Sequence, residues 1–499
     1  MSYMRFCVMD VGQGSANYIE LCESDDSLTA AAIIDVGSEQ WKTTAGRPSA
    51  AVIAGRLKEM TGGAVLDAVI LSHSDSDHIN LISSLLEYFD TPRTKSPTKP
   101  VLTIKKIIFG GDFGKYQKGK AVNYLNQLKE YRPRGQEEII TRLGSDFSSF
   151  KEKKSSWKPL VRVGGKIDLW ALSANTTAEK IPLVGRKRLR AELPDGGFAI
   201  NTRSIVTVAI FAGRTIIATG DATGLSLAHC NELLAREDVR DKLGAAAYML
   251  TLPHHGSDTT TYDLTGSGES DAGKGVVEEF CSWVKAETIS ASAGERSTFR
   301  HPSARVIKDF GANLRPYPQY FDPALEASHQ HFYTAYFPER SLTVSSSKAK
   351  PAGAGWPPSE SWYTVRTTEN VYTTDYFAEV PHTPIPIAFP WEAREDGESA
   401  FKPPPPRAIS WGFIVRQDGT TALEVVRERT SANAEYWAAV EAVHGPLPSE
   451  GFVVVPSAPP TDGGPAESSS GPLPEPEPEP PDYEPPSPPP PPSRLRQLP

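Results

Sequence analysis

Over its first three hundred positions the chain sets short apolar runs between breaks of glycine, aspartate and serine, a spacing that predicts a mixed α/β fold. The opening MRFCVMDVGQGSANYIEL reads as strand, Gly-rich turn, strand. AAAIIDVGS is a short buried strand with Asp35 at its tip. LDAVILSHSDSDHINLISSLLEYF is the most informative unit. In it Ala68–Leu71 is a buried strand, SHSDSDH a loop at its carboxyl end, and INLISSLLEYF an apolar pattern at helical spacing. The loop therefore sits at a strand end and a helix start, where α/β proteins place their chemistry. Further on, AAAYMLTLP is a strand running into His254 and His255, and KPPPPR (402–407) breaks the chain. ISWGFIVRQDGTTALEVV is a hairpin with Asp418-Gly419 at its turn, and SANAEYWAAVEAVHG a capped helix ending at Gly445.

Composition adds bounds. The 499 residues leave room for two or three domains or one decorated domain. No basic N-terminal segment precedes an apolar stretch, and no apolar run is long enough to span a bilayer. The four cysteines (Cys7, Cys22, Cys230, Cys281) are scattered without a C-x-x-C pair, which argues against a zinc ribbon or a disulfide framework. The expectation is a soluble, cytoplasmic protein with no membrane insertion.

The net charge of −9 conceals an asymmetry. Residues 91–190 carry 23 Lys or Arg against 8 Asp or Glu, near +15, which leaves the remainder near −24. Such a stretch is either a surface that attracts a polyanion or a solvated lysine-rich insertion. From about Pro456 the chain becomes Pro, Ser, Glu and Gly, with nothing apolar to bury, and reads as a disordered acidic tail of polyproline II character. It is either inert or a ligand for a proline-binding partner protein.

His73, Asp75, Asp77 and His78 put two imidazoles and two carboxylates into six residues. A tight loop can aim the first pair at one metal and the second at another, and these donors suit zinc, manganese or iron. A Ser/Asp-rich helix N-cap explains the serines and aspartates but not two histidines at these positions. Asp221 follows a glycine at the end of a buried strand, so its carboxylate emerges at the same edge, and one bridging carboxylate can hold two cations. Adjacent residues at a strand end point in opposite directions. That rule predicts that only one of His254 and His255 binds metal. His254 is preferred, with His255 either facing substrate or supporting the ligands from behind.

These residues carry a resemblance. His73-x-Asp75-x-Asp77-His78 resembles the signature loop of the metallo-β-lactamase fold, with Asp in place of the second His. That variant resembles the soluble hydrolase domain of ComEC-type DNA-internalisation competence proteins. In order along the chain, MDVGQGSANYIEL, IIDVGS, NTRSIVTVAIFAGRTIIATGDATG, TLPHHGSD and SAGERSTFRHP resemble further segments of the same pattern. The competence proteins carry a membrane channel and this chain does not, so a stand-alone relative is implied.

The resemblance implies a four-layer αββα sandwich over residues 1–430, with a basic insertion at 91–190 and an irregular one at 303–407. A C-terminal helix and short extension (431–455) and the tail (456–499) follow. It implies metal ligands His73, Asp75, Asp77, His78, Asp221 and His254, with Asp77, His255 and His301 in catalysis. Asp35, Asn201, Ser257, Arg296 and Arg300 are candidates for the surrounding shell or for substrate. The wider fold has a third His between the loop and the bridging Asp. Residues 79–220 contain none, and Asn201 sits near that place. One or two divalent ions, zinc or manganese, are expected, with harder, oxygen-rich ligation favouring manganese or magnesium. The implied function is hydrolysis by metal-activated water, with a phosphodiester of DNA as electrophile. Two rivals stand beside it: a hydrolase of a small phosphodiester, lactone or other ester, and a non-catalytic scaffold that keeps a metal for stability.

Overall fold

The computed structural model describes most of residues 1–292, part of 306–311, the paired strands between 341 and 386, and the hairpin 410–426. Positions 40–45, 90–101, 178–195, most of 293–409 and all of 427–499 lie outside the described residues, as do a few single positions. His301, Arg296, Arg300, the expected helix at 431–445 and the Pro-rich tail fall among these.

Two large sheets form the frame. The strands are β1 (Tyr3–Val8), β2 (Ala16–Cys22), β3 (Leu28–Val36), β4 (Ala68–Leu71), β5 (Ile107–Phe109) and β6 (Ile140–Arg142). Next come β7 (Val161–Val163), β8 (Ile167–Ser173), β9 (Val206–Phe211), β10 (Arg214–Ala218), β11 (Ala247–Thr251) and β12 (Thr288–Ala291). Last are β13 (Val371–Thr373), β14 (Ser410–Arg416) and β15 (Thr421–Val426). The eight-stranded sheet has the order β15-β14-β1-β2-β3-β4-β5-β6, and the seven-stranded sheet β13-β12-β11-β10-β9-β8-β7. β3 to β6 are parallel in the first sheet, and β10 to β13 in the second; the other pairs are antiparallel.

The period-two alternation of the first strands explains the layering. Met4, Phe6, Val8, Ile19, Ala32 and Ile34 share one core with Leu169, Val208 and Ile216 of the second sheet. The intervening residues Cys7, Tyr18, Ala31 and Ile33 face the other way, onto Ile53 and Leu57 of helix Gly46–Lys58 and onto Ile82 and Leu85 of helix Ile82–Glu87. Beyond the second sheet, helices Gly224–Leu234 and Asp271–Val284 complete the first core through Leu225, Leu227, Val277 and Phe280. The result is helix, sheet, sheet, helix: the four-layer αββα sandwich expected from the sequence.

Two features go beyond the expectations from sequence. The described part of the basic stretch belongs to the two sheets: it supplies β5 and β6 at one edge of the first and β7 and β8 at one edge of the second. β5, β6 and β7, at three residues each, are too short to show a period. The hairpin 410–426, whose sequence left open whether it closes the second sheet or forms a small separate module, joins the first sheet instead: it pairs with β1 through β14, Phe6 opposite Phe413. No helix among the described residues is long and apolar enough to cross a membrane. All four cysteines are buried.

Candidate metal centre

The carboxyl ends of β3, β4, β10, β11 and β12 meet at one edge of the sandwich, as open α/β sheets present their functional loops. β3 ends in Asp35, which is fully buried with φ +58°. β4 runs into Ser72 and His73, β10 into Gly220 and Asp221, β11 into His254 and His255, and β12 into Ser292.

Close backbone packing holds the edge together. Ser15 N–H donates to the Asp77 carbonyl at 2.9 Å, and Leu81 N–H to that of Val36 at 3.1 Å. Gly37 lies against the Asp77–His78 peptide so closely that any Cβ there would overlap its backbone atoms. Gly220 adopts φ +53° and sits against Ser204 Oγ and Ser72 Oγ, so both its conformation and its space call for glycine. Asp75 stands at the N-cap of the four-residue helix Ser76–Ile79, but its side chain accepts no capping hydrogen bond. The capping explanation of the loop therefore fails for this carboxylate, which faces His73 Nε2 at 3.8 Å instead.

Asp221 is the hub, with 2% of its side chain exposed. Its Oδ1 lies 2.9 Å from His78 Nε2 and 3.6 Å from His255 Nε2. Its Oδ2 lies 3.5 Å from His73 Nε2 and 3.4 Å from His254 Nε2. Asp77 Oδ2 is 3.3 Å from His255 Nε2. One donor atom each from Asp77, His78, Asp221 and His255 falls within 4.8 Å of all the others. The six residues named from the sequence as metal ligands and His255 are thus brought together.

The far ring nitrogens fix the histidines. Asp35 Oδ2 accepts from His78 Nδ1 at 2.8 Å while the same carboxylate accepts from Ser72 N–H and Ser72 Oγ, both at 2.6 Å. The Ser292 carbonyl accepts from His255 Nδ1 at 2.7 Å. His73 Nδ1 meets Ser72 Oγ at 2.9 Å and Ser204 Oγ at 3.4 Å, and Ser204 Oγ also accepts from Asp221 N–H at 3.0 Å. Carboxylate and carbonyl are acceptors only, so Nδ1 of His78 and His255 carries the hydrogen and a neutral ring turns its Nε2 lone pair inward.

Those inward nitrogens face carboxylate oxygens, and two acceptors do not satisfy each other. His73 Nε2, His78 Nε2, His255 Nε2 and Asp221 Oδ1 are buried with no aligned hydrogen-bond partner, despite the short His78–Asp221 separation. A proton answers one such pair; a cation among them answers all of them. The residues fit a divalent ion, and imidazole with carboxylate is a donor set for zinc or manganese.

The same carboxylates that would hold a cation also favour a proton on two of the inward nitrogens. Burial favours neutral His78, but Asp221 and Asp35 outweigh it and raise its pKa well above the usual imidazole value. Burial also opposes a raised pKa at His255, where Asp221 and Asp77 prevail. At His254 burial prevails over Asp221 and the pKa falls. Asp221 itself is held well below the carboxylate range: burial opposes this, and the surrounding imidazoles overcome it.

The expectation that only one of the paired histidines faces the centre is corrected. His254 (φ 45°, ψ 51°) and His255 (φ 57°, ψ 14°) are both left-handed, so strand alternation does not apply and both rings lean on Asp221. For non-glycine residues this conformation costs on the order of 1–3 kcal/mol each, a strain concentrated at functional sites. Asn201 is buried in helix Gly197–Thr202, and its Oδ1 has no hydrogen-bond partner. Among the described residues it takes no part in the contacts around Asp221. Ser257 Oγ is engaged with Thr259 Oγ1 at 3.2 Å, and its N–H donates to the His254 carbonyl at 2.9 Å. The roles of Ser72, Ser204 and the Ser292 carbonyl were not read from the sequence; the signals there are the flanking position of Ser72, the Asn-x-x-Ser spacing of Ser204 and the place of Ser292 in the segment SAGERSTFRHP.

No protein-family model and no curated protein matches the chain. Among solved structures, the metallo-beta-lactamase fold protein YhfI from Bacillus subtilis aligns over 59% of this chain and 88% of its own, at 14% identity and TM-score 0.28. Zn(2+)-bound PqqB from Methylobacterium extorquens aligns over 58% of this chain and 89% of its own, at 10% identity and TM-score 0.28. A long form RNase Z from yeast aligns over 59% of this chain and 37% of its own, at 10% identity and TM-score 0.31. Likeness of this degree says nothing about substrate.

Proposed function

We propose that the chain is a metal-dependent hydrolase of phosphodiesters, with DNA as its substrate. The observation that carries the hydrolase reading is the convergence of four imidazoles and three carboxylates on one sheet edge, several with buried, unsatisfied donor atoms. A divalent ion bound there would supply Lewis-acid polarisation and activate water near neutral pH. The protein's own part is positional: Asp35, Ser72, Ser204 and the Ser292 carbonyl fix three rings before any ligand arrives. Asp75 and His254, with side chains 37% and 21% exposed, mark the open side from which a substrate approaches.

The choice of DNA is supported by the lysine-rich stretch, in which Lys153, Lys154 and Lys158 are exposed. Phosphate neutralisation by such residues supplies most non-specific nucleic-acid affinity. The test is cleavage of labelled single- and double-stranded DNA by manganese-loaded protein, with Asp77→Ala as control. Cleavage abolished by the substitution is expected. Intact DNA in the presence of protein shown to contain metal overturns the DNA assignment and turns the search to a small phosphodiester or ester.

A further inference from the structure

One buried side chain outside the donor set ties the rim of the sandwich. Asn175 follows β8 and has φ +52°, a left-handed conformation that asparagine tolerates better than most residues. Each of its hydrogen-bonding groups has a partner. Its Oδ1 accepts from Gly111 N–H at 2.8 Å, and its Nδ2 donates to the carbonyls of Leu143 at 2.7 Å and Gly144 at 3.2 Å. Its N–H donates to the Arg203 carbonyl at 3.2 Å, and its own carbonyl accepts from Asp146 N–H at 2.9 Å. Gly111 follows β5 and Leu143 follows β6, both of the first sheet, whereas Asn175 follows β8 and Arg203 precedes β9, both of the second. A single residue therefore stitches the two sheets at the edge from which the donors emerge.

Two of these contacts lead to the donors. Gly111 lies against His73: a Cβ on it would stand 3.1 Å from His73 Cα and 3.2 Å from His73 Cβ. The Arg203 carbonyl accepts from both Gly111 N–H and Asn175 N–H, each at 3.2 Å. Oγ of the next residue, Ser204, accepts from Asp221 N–H at 3.0 Å and meets His73 Nδ1 at 3.4 Å. Ile205 N–H then donates to the Ser72 carbonyl at 3.1 Å. We infer that Asn175 is a positioning residue of the centre: by pinning Gly111 behind His73 and Arg203 beside Ser204, it sets the separation of His73 from Asp221 before a cation arrives. The inference rests on the cation-binding reading of the cluster and adds no ligand to it.

The chemistry of the position is narrow. Glycine keeps the backbone conformation but leaves Gly111 N–H and the carbonyls of Leu143 and Gly144 without this partner. Aspartate keeps the shape and the acceptor for Gly111, but turns a second oxygen onto two carbonyls. His73 is the donor most exposed to such a shift. Among the described residues its Nδ1 meets only the hydroxyls of Ser72 and Ser204, whereas His78 is held by a carboxylate and His255 by a backbone carbonyl. Loosening at Asn175 is therefore felt first at His73 and at the Asp221 oxygen 3.5 Å from its Nε2.

The experiment is titration of the chelator-stripped full chain with cobalt(II) alone, whose visible spectrum follows ligand geometry, alongside thermal unfolding of the metal-free proteins. Asn175→Gly and Asn175→Asp should bind cobalt more weakly by about tenfold, the low end for residues that orient metal ligands, and with an altered visible spectrum. Glu20→Gln, which removes a buried charge between Arg5 and Arg56 away from the site, should lower the unfolding midpoint yet keep wild-type cobalt affinity and spectrum. Wild-type affinity and spectrum in Asn175→Gly, whatever its midpoint, overturns the inference. If that variant does not fold, the same readings in Asn175→Asp decide. Cobalt affinity and spectrum displaced as far in Glu20→Gln as in the Asn175 variants also overturns it, since binding would then only follow stability. A wild type that binds no cobalt overturns the cation reading, and the inference with it.

Discussion

Asp35→Asn is the sharpest test of how the centre is held. The substitution keeps the shape of a side chain that is fully buried and accepts three hydrogen bonds, from Ser72 N–H, Ser72 Oγ and His78 Nδ1. An amide has one oxygen and one NH2. With its oxygen kept on Ser72 N–H, the NH2 meets His78 Nδ1, where a hydrogen already sits. Relief comes only if His78 moves that hydrogen to Nε2, which turns the ring from a ligand into a donor aimed at Asp221. Outer partners of metal-bound histidines are typically worth 10–100-fold in affinity, or about 1.4–2.7 kcal/mol. The loss of a charge-assisted hydrogen bond adds a stability cost of roughly 1.5–3 kcal/mol. Competitive titration against a chromophoric chelator measures the first, and thermal unfolding by circular dichroism the second. A folded Asp35→Asn protein that binds manganese or zinc as tightly as wild type would refute the claim that Asp35 sets the His78 tautomer.

Four further outcomes are expected. Ser204→Ala removes the acceptor for Asp221 N–H and a partner of His73, and should weaken metal binding by up to about tenfold in a folded protein; unchanged binding in a chelator titration counts against it. Gly37→Ala forces a methyl onto the Asp77–His78 peptide and should cost more than the roughly 1–3 kcal/mol typical of overpacking, seen as a lowered unfolding midpoint. Away from the site, Glu20 is buried between Arg5 and Arg56, bonded to both, so Glu20→Gln should destabilise by roughly 3–5 kcal/mol in denaturant melts. Burial pushes the Glu20 pKa up, but the two guanidiniums outweigh it and lower it from 4.5. Its stabilisation is therefore full above pH 4.5 and lost as pH falls through the lower folded value; a wild-type acid transition identical to that of Glu20→Gln would refute this. Replacing Lys153, Lys154 and Lys158 by Gln should reduce the salt dependence of DNA binding, with the log–log slope falling by about 0.9 for each phosphate no longer neutralised.

The sequence was most readable where local rules met no competition. Ala68–Leu71 and the tip position of Asp35 follow from apolar runs cut by turn residues, and both occur as expected. The hairpin turn was equally legible: Gly419 takes φ 82° and Asp418 Oδ1 accepts from Thr420 N–H at 2.9 Å. The paired histidines misled because strand alternation was carried one residue too far. Pro253 before them and Gly256 after them mark a turn, and a turn releases both side chains from the pleat. The edge strands within the lysine-rich stretch were invisible because their identity comes from pairing, with Ile107 opposite Val69 and Ile140 opposite Ile107, and not from any pattern of their own. Serine is too common on loops to announce that its hydroxyl steadies a ring, so the roles of Ser72 and Ser204 emerged from distances and not from their positions in the sequence.

The donors of the centre come from both halves of the sandwich. His73, Asp75, Asp77 and His78 follow a strand of the first sheet, while Asp221, His254 and His255 follow strands of the second. An ion seated among them is also a clasp across the open rim of two stacked plates. Its affinity adds to the cohesion of the fold, so chelation should slacken the rim before the hydrophobic interior yields. The clasp also imposes an order on maturation. The last donors lie about 180 residues beyond the first, so a nascent chain has no complete nest for the ion until both plates have formed and met.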